Sequence, residues 1–308
     1  MPDCPQSLRD FHRRFPSEAE CAAWLFAVRW PDGFRCPACG HGAAWALQGK
    51  AHTFECAGCG RQTSVTAGTV MHGSKLALTT WFQAAWLMAT HKNGFSARQM
   101  REQLGLGSYK SAWLLCAKLR RAMVAPERNP LTGLVEADET SVSYRTKDDP
   151  PAGGPGRSHA GKLLVAGAVE IAGNRPGRAR LRTIADYSAD SLSGFVAAAV
   201  APGATVASDG WSGYAKLKDV KHDAKIVGPT AAHVLLPWVH RLFANLKRWG
   251  LGVYHGLRRK HLQSYLDEFV FRFNRRYSPK AAFRSLLSIG TKTSPVTYDI
   301  LINPDAQG

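Results

Sequence analysis

The spacing of apolar residues predicts two helices in the first third of the chain. Residues 17–28 predict a short helix that the hydroxyl of Ser17 can cap. Residues 78–91 are apolar at positions 78, 81, 82, 85, 88 and 89, which is the period of an amphipathic helix. Three short segments between these helices predict strands, at about 44–47, 53–56 and 63–65.

Residues 96–123 have the pattern of two helices joined by a short glycine turn. The first helix begins after Ser96 and ends at Gly105, and Ser108 can cap the second helix. This is the layout of a helix-turn-helix DNA-binding unit, although a plain helical hairpin gives the same pattern. In a DNA-binding unit, the second helix would present to DNA the basic residues Lys110, Arg120 and Arg121.

The pattern changes at about residue 131 to that of a mixed α/β domain. Residues 146–160, which are rich in Pro, Gly, Lys and Asp, predict a mobile loop. A helix is expected at 189–199 and a long helix at 239–250. Strands are expected at 134–142, 162–172, 179–185 and 204–208, with a short fifth strand at 225–227.

Length and composition exclude several classes of protein. With 308 residues, the chain is expected to form two or three domains. A hydrophobic content of 45% and an aromatic content of 10% exclude wholesale disorder. No apolar run approaches ~18 residues, and the N-terminus lacks the features of a secretory signal. We therefore expect a cytoplasmic protein with no membrane span.

The charge balance predicts a polyanionic partner. The 40 Lys and Arg exceed the 23 Asp and Glu by 17, which favours nucleic acid, although an ordinary basic protein is the alternative. Residues 240–277 hold nine basic and two acidic residues with interleaved aromatics, a combination that suits phosphates and unstacked bases. We expect phosphate contacts from Arg241, Arg248, Arg258, Arg259, Lys260, Arg275 and Arg276.

Four of the seven cysteines predict a zinc site. Cys36 and Cys39 form one Cys-x-x-Cys pair, and Cys56 and Cys59 form a second pair sixteen residues later. Two such pairs suit a four-thiolate zinc ribbon, in which zinc stabilises a segment too short to fold by itself. Disulfides would need an oxidising compartment, and a redox pair would not need a matching second pair. A contact between the ribbon and DNA is a further hypothesis.

Two aspartates are candidates for a catalytic metal site. Asp138 lies in a strand that otherwise looks buried, where Glu136 shares its face. Asp209 ends a second strand, directly before Gly210. Carboxylates on adjacent strands can hold Mg²⁺, which prefers oxygen ligands and can promote phosphodiester displacement. The alternative is that both aspartates cap turns or form salt bridges.

The helix expected at 239–250 offers further candidates. His240 and Lys247 lie on one flank of its apolar stripe, and Asn245 lies on the other. At ~100° per residue, His240 and Asn245 are ~140° apart. We therefore expect only one of these two residues to face the aspartates.

The whole pattern resembles that of bacterial insertion-sequence transposases, specifically the group with a zinc ribbon and a ribonuclease H-like DDE domain. The resemblance covers about residues 15–280 and includes the four cysteines and the helical segment. Three motifs carry it: Val-Glu-Ala-Asp-Glu-Thr around Asp138, Ser-Asp-Gly-Trp-Ser-Gly-Tyr around Asp209, and the run from Asn245 to Arg276 that includes Asn-Leu-Lys-Arg, Tyr-Leu-Asp-Glu-Phe and Phe-Asn-Arg-Arg.

The resemblance implies an α/β fold in several parts. These are a zinc ribbon with an N-terminal helix at 1–70, a helical DNA-binding linker at 71–128, a ribonuclease H-like catalytic domain at 129–290 and a tail at 291–308. It also implies structural Zn²⁺, catalytic Mg²⁺ with Mn²⁺ as the alternative ion, and double-stranded DNA as partner. Because two element ends must be paired, a homodimer or higher oligomer associated with the nucleoid is expected.

The resemblance implies Mg²⁺-dependent cleavage and strand transfer at terminal inverted repeats. Asp138 and Asp209 match the first two acidic positions of the family. The usual third residue, Glu, falls at His240, and some branches use Asn, for which Asn245 is the candidate. Since neither is a carboxylate, Glu136 or Glu268 is a further candidate ligand, or this copy is impaired. Lys247 or Lys260 would position a phosphate.

Two other functions remain open at this point. One is a zinc-ribbon DNA-binding regulator whose α/β domain is catalytically inactive. The other is a metal-dependent nuclease without strand transfer. Only the transposase and the nuclease require Asp138 and Asp209, and only the transposase joins a 3′-hydroxyl end to a target.

Overall fold

The computed structural model describes residues 4–143, 162–225, 232–254 and 257–302. These form two compact units, one comprising residues up to 126 together with 277–307 and the other comprising residues 127–276. The loop predicted at 146–160 lies outside the described residues. Of the helices in the described ranges, none combines the length and the apolarity needed to cross a bilayer.

The described residues form eleven α-helices and eight β-strands. In chain order, they are α1 (Leu8–Arg14), α2 (Glu18–Arg29), β1 (Ala44–Ala46), β2 (Thr53–Cys56), β3 (Gln62–Ser64), α3 (Leu78–Thr90), α4 (Ala97–Gln103), α5 (Tyr109–Arg121), β4 (Leu134–Ser143), β5 (Lys162–Ala172), β6 (Arg175–Ile184), α6 (Ala189–Ala199), β7 (Thr205–Ser208), β8 (Lys221–Ala224), α7 (Ala232–Leu235), α8 (Pro237–Tyr254), α9 (Leu262–Asn274), α10 (Pro279–Lys292) and α11 (Tyr298–Ile302).

Serine side chains cap several helices of the first unit, and the caps of α2 and α5 are those predicted from the sequence. The side chains of Ser17, Ser96 and Ser108 each accept a backbone N–H from the first turn of α2, α4 and α5. Helix α3 has no such cap of its own, because Ala77 precedes it. Instead, the Glu18 carboxylate of α2 accepts the N–H groups of Leu78 and Thr79 at 2.8 and 2.7 Å.

An aromatic cluster holds the first unit together. The ring of Phe283 on α10 lies 5.6–6.1 Å from five aromatic rings on α1, α2 and α3 and the α1–α2 connection. These rings are Phe11, Phe15, Trp24, Phe82 and Trp86. The packing places α10 in the first unit, whereas the sequence predicted that residues up to 290 belong to the catalytic domain. An amphipathic pattern shows that a helix buries one face, but not against which partner.

The second unit is a five-stranded mixed sheet in the order β6-β5-β4-β7-β8. Strands β4, β5 and β6 are antiparallel neighbours, while β4, β7 and β8 run parallel. Helix α6 covers one face, where Val135 and Ala137 of β4 are buried. Helices α8 and α9 cover the other face, over Val165 and Val169 of β5. This layered arrangement is consistent with the ribonuclease H-like fold.

Two strands differ by more than one residue from their predicted bounds. Strand β6 begins at Arg175, four residues before the predicted start. The fifth strand is Lys221–Ala224, directly before the predicted 225–227, of which residues 226 and 227 lie outside the described part of the chain. Strand β8 is an edge strand of mostly polar, exposed residues. Because the strand is held by backbone pairing and buries little, its residues show no apolar alternation from which the sequence could locate it.

Candidate active site and metal centre

The four cysteines of the ribbon converge on one point. The Sγ atoms of Cys36 and Cys59 lie 3.7 Å apart, and those of Cys39 and Cys56 lie 3.6 Å apart. A tetrahedral zinc ion with Zn–S bonds of ~2.3 Å separates its sulfurs by ~3.8 Å. Among the described residues, this is the one group of three or more His, Cys, Asp or Glu whose ligand atoms all lie within 4.8 Å of one another. The donor set and its geometry fit a structural zinc ion.

The two cysteine pairs sit on turns with the same backbone hydrogen bonds. In the first, Gly40 N–H donates to Cys36 O at 2.9 Å, and in the second, Gly60 N–H donates to Cys56 O at the same distance. Both glycines have positive φ, +73° and +70°, which a side chain would strain. In the first turn, the backbone amides of Cys39 and Ala38 lower the pKa of the Cys36 thiol to about 6, which favours the thiolate that binds zinc.

Asp138 lies on β4, and Asp209 lies just past the end of the parallel neighbour β7. The paired part of the two strands ends with Glu136 opposite Ala207, and each aspartate follows two residues later. The charge of Asp209 is close enough to raise the pKa of Asp138. Asp209 follows directly after β7 ends, and its Oδ1 accepts the N–H of Trp211 at 3.0 Å. This places a carboxylate at the carboxyl end of a strand, where α/β sheets place ligands.

Asp138 is in an environment that opposes its negative charge. Its side chain lies almost entirely in the interior, at 7% exposure. Burial, followed by the nearby charges of Glu139 and Asp209, raises the pKa of Asp138 to about 7. Two neighbouring carboxylates in a buried setting are costly unless a cation or hydrogen-bond donors compensate their charge.

The structure brings His240, and not Asn245, to Asp138. His240 Nε2 on α8 lies 3.3 Å from Oδ2 of Asp138. Asn245 is exposed on the opposite flank of the same helix. Lys247 is exposed on the His240 flank, where partial burial and the charge of Lys162 lower its pKa. Of His240 and Asn245, therefore, His240 is the residue that lies beside Asp138.

The additional acids considered from the sequence have other partners. Glu136 Oε2 accepts the N–H groups of Trp238 and Val239 at the start of α8, at 2.8 and 2.9 Å. Glu268 is fully buried on α9, where its Oε2 accepts the hydroxyl of Tyr254 at 3.0 Å. Among the described residues, Glu136, Glu268 and His240 all fail to form with Asp138 and Asp209 a group whose ligand atoms lie within 4.8 Å of one another. Of the three, His240 is the residue with a short contact to Asp138.

A hydrogen bond on the other face of β4 was not predicted from the sequence. The fully buried Tyr214 donates its hydroxyl to Oε2 of Glu139 at 2.9 Å. Burial and the surrounding carboxylates raise the pKa of Tyr214 well above its usual value, so the phenol stays a proton donor. The one feature of the sequence that could have indicated this hydrogen bond is the position of Tyr214 at the end of the motif that begins at Ser208.

The basic residues assigned to helix α5 divide into exposed and buried groups. Lys110 and Arg121 are exposed, and the Lys110 ammonium lies 4.0 Å from the ring centre of Tyr298. Arg120 is only 2% exposed, so its assignment to DNA is wrong for this structure. Helix α5 is buried on most of its circumference, which a count of charges along the chain does not reveal.

Helices α4 and α5 pack against each other and are joined by a turn that contains Gly105, so they have the predicted helix-turn-helix layout.

The basic residues of the second unit also divide into two groups. Arg275 and Arg276 are half-buried and donate to backbone carbonyls, Arg275 to Phe271 and Arg276 to Phe273, Gly177 and Pro176. These two guanidinium groups therefore stabilise the fold. The exposed group, which stays available to phosphate, comprises Arg241, Arg248, Arg258, Arg259 and Lys260.

Comparison with known families gives two matches. A model described as an ISXO2-like transposase domain matches residues 130–274. A model described as a transposase zinc-ribbon domain matches residues 16–62. The first match spans the mixed sheet with α8 and α9, and the second contains all four zinc-binding cysteines. No curated protein matches the chain.

Proposed function

Since the chain belongs to the insertion-sequence transposases that carry a zinc ribbon, we propose that it cleaves the terminal inverted repeats of its element and joins their 3′ ends to target DNA in a Mg²⁺-dependent reaction. The observation that supports the proposal is the position of Asp138 on β4, with His240 Nε2 3.3 Å from its Oδ2 and with Asp209 just past the end of the neighbouring parallel strand β7. These residues come from three distant parts of the sequence.

The donor set of this site fits a hard divalent cation. Two carboxylates supply oxygen ligands, and the imidazole of His240 supplies a nitrogen, which Mg²⁺ accepts less readily than Mn²⁺. When bound, such an ion activates a water or a 3′-hydroxyl and stabilises the leaving oxygen of the phosphodiester. The like charges of Asp138 and Asp209 explain why a cation is favourable at this position.

Around the scissile phosphate, the protein would orient the two carboxylates and provide positively charged side chains. Asp138 Oδ1 accepts the N–H of Glu139 and Asp209 Oδ1 accepts the N–H of Trp211, so a local hydrogen bond orients each carboxylate. Lys247, exposed on the flank of α8 that carries His240, would bind a phosphate oxygen of the DNA end. The exposed group Arg258, Arg259 and Lys260 extends the cationic surface along which a duplex can lie.

The decisive experiment compares cleavage and binding by three proteins. The substrate is a duplex carrying the inverted repeat that flanks the gene. Asp138→Asn and Asp209→Asn should each lower Mg²⁺-dependent cleavage by at least ~10³-fold, because each removes a ligand of the ion. Both variants should retain wild-type affinity for the duplex in a gel-shift assay. Unchanged cleavage in either variant rejects the site.

One observation favours a second candidate function. The position of the usual third carboxylate holds His240, so the site has one oxygen ligand fewer than the family's common pattern. The candidate is a zinc-ribbon DNA-binding protein with an inactive catalytic domain. Specific binding to the inverted repeat, with no cleavage or joining at any Mg²⁺ or Mn²⁺ concentration, would select it. Cleavage without joining would instead select a nuclease.

A further inference from the structure

The strongest unassigned feature of the second unit is a buried acid that touches the helix carrying His240. Glu136 is 6% exposed and lies two residues before Asp138 on β4. Side chains two residues apart on a strand point to the same face of the sheet. Glu136 and Asp138 therefore both face α8, one at the start of the helix and one beside His240.

The contacts of Glu136 are specific to the first turn of α8. A single oxygen, Oε2, accepts both the Trp238 N–H at 2.8 Å and the Val239 N–H at 2.9 Å. First-turn N–H groups have no partner within their own helix, and a carboxylate at this end also meets the positive end of the helix dipole. The preceding residue of the helix, Pro237, has no N–H to donate.

A second contact holds α8 against the sheet on the other side of His240. Gly167 of β5 pairs directly with Asp138. A Cβ atom at Gly167 would come within 2.5 Å of Cε1 of Phe243, so the missing side chain lets the ring of Phe243 approach the strand. Helix α8 thus contacts the sheet through the backbone N–H groups of Trp238 and Val239 and through the ring of Phe243, and His240 lies between these two contacts.

We propose that Glu136 is a positioning residue, which fixes the start of α8 on β4 and thereby holds the His240 imidazole against Asp138. The inference rests on the proposed function, in which Asp138, Asp209 and His240 hold a divalent ion. Glu136 acts through His240 and is not itself a ligand. It explains how a site with only two close aspartates keeps its third donor in place.

The test measures Mn²⁺ affinity of the full-length, zinc-loaded protein by isothermal titration calorimetry, so that it needs no DNA and no turnover. Removing an outer-shell partner of a metal ligand typically weakens metal binding by ~10–100-fold, and Glu136→Ala is expected to do the same. Glu136→Gln should stay within about threefold of wild type, because its one carbonyl oxygen can still accept both N–H groups. Loss of affinity in Glu136→Gln would make Glu136 a ligand and overturn the inference.

A double-mutant cycle shows whether Glu136 acts through His240. In a His240→Ala background, Glu136→Ala should change Mn²⁺ affinity by less than about twofold, because the side chain that it positions is gone. An undiminished effect in that background contradicts the inference. If Glu136→Ala does not fold, Glu136→Asp takes its place, since the shorter side chain keeps the charge but withdraws the acceptor.

Two controls separate this inference from the proposed function. Glu170→Gln changes a half-buried carboxylate of the same sheet, whose partners Thr132 and Arg178 lie outside α8, and should leave Mn²⁺ affinity unchanged. Asp138→Asn should abolish the binding. If Asp138→Asn has no effect, the proposed metal site fails. If Asp138→Asn abolishes binding while Glu136→Ala matches wild type, only the role of Glu136 fails.

Discussion

His240 Nε2 lies 3.3 Å from Oδ2 of Asp138, although the two residues are far apart in the sequence. The contact gives a reason to expect His240, and not Asn245, to take part in the chemistry. Asn245 is exposed and lies ~140° around α8 from His240. One helix cannot turn both side chains toward the same carboxylate.

The first prediction follows from this contact. His240→Ala should lower cleavage of the element end by at least ~10-fold, because the side chain beside Asp138 is removed, while Asn245→Ala should have a much smaller effect. His240→Glu should lower the Mg²⁺ concentration needed for half-maximal cleavage, since it adds an oxygen ligand. Initial rates across a Mg²⁺ titration measure all three. A larger loss in Asn245→Ala than in His240→Ala would reverse the assignment.

The second prediction concerns the approach of α8 to the sheet. Gly167→Ala should destabilise the protein by ~1–3 kcal/mol and lower cleavage, because its Cβ would force the ring of Phe243 away from β5. The matched control is Gly194→Ala in α6, where a Cβ meets no atom within 4 Å and alanine favours the helix by up to ~1 kcal/mol. Urea unfolding gives the two free energies. Equal stability of both variants would show that α8 adapts to the added methyl group.

The sequence predicts a site formed by Asp138 and Asp209, but it does not predict which residue of α8 lies beside Asp138. Strand alternation and the glycine after Asp209 are local signals, and they point to one edge of a sheet. The rotation of α8 about its axis depends on contacts that Glu136 and Gly167 make from strands far away in the chain. No local pattern contains that information.

Packing between distant segments also explains two other differences between the sequence-based predictions and the structure. The pattern of α10 shows a helix with a buried face, but Phe283 packs against the rings of Phe82 and Trp86, which lie far earlier in the chain. In α5, Lys118 and Arg120 are buried at 9% and 2% exposure, because the helix is covered on several sides. Charge along a sequence predicts a phosphate-binding surface only where the charges are exposed.

The third prediction tests the zinc ribbon. Each molecule of the wild-type protein should bind one zinc ion, and Cys39→Ser should lose it, together with hydrogen-exchange protection across about residues 30–65, since metal binding supplies the folding free energy of so small a segment. Cys116→Ser, which changes a buried cysteine outside the four-cysteine cluster, should retain the ion. Zinc content and hydrogen exchange are measured on both variants. Full protection of the ribbon in zinc-free protein would contradict a structural role.

The fourth prediction is a loss of stability in acid. Although burial opposes it, hydrogen bonds from Arg178 and the backbone hold the pKa of Glu170 at about 2, below the ordinary 4.5. The folded state therefore favours the charged carboxylate. Its contribution to the free energy of unfolding is complete above pH 4.5 and is lost as the pH falls toward 2. Glu170→Gln should cost on the order of 1–3 kcal/mol at neutral pH.

The measurement for Glu170 is the difference in free energy of unfolding between wild type and Glu170→Gln. Hydrogen exchange of the β5 and β6 amides reports it for the second unit separately from the zinc ribbon, which also responds to acid. The difference should shrink as the pH is lowered from 6 toward 3. A difference that stays constant over this range would mean that the ion pair with Arg178 does not set the pKa.

The last prediction separates basic residues that can meet DNA from those that the fold uses. Arg258, Arg259 and Lys260 are exposed, whereas Arg276 donates to the carbonyls of Gly177 and Phe273 at 3.2 and 2.8 Å. Replacing the three exposed residues by alanine should weaken duplex binding and reduce the slope of log affinity against log salt by ~0.9 for each phosphate that the variant no longer neutralises. Arg276→Ala should lower thermal stability and leave that slope unchanged, because its guanidinium is already bonded to the chain. Binding isotherms at several salt concentrations give the slope for each variant. An equal change of slope in both variants would mean that Arg276 also contacts DNA.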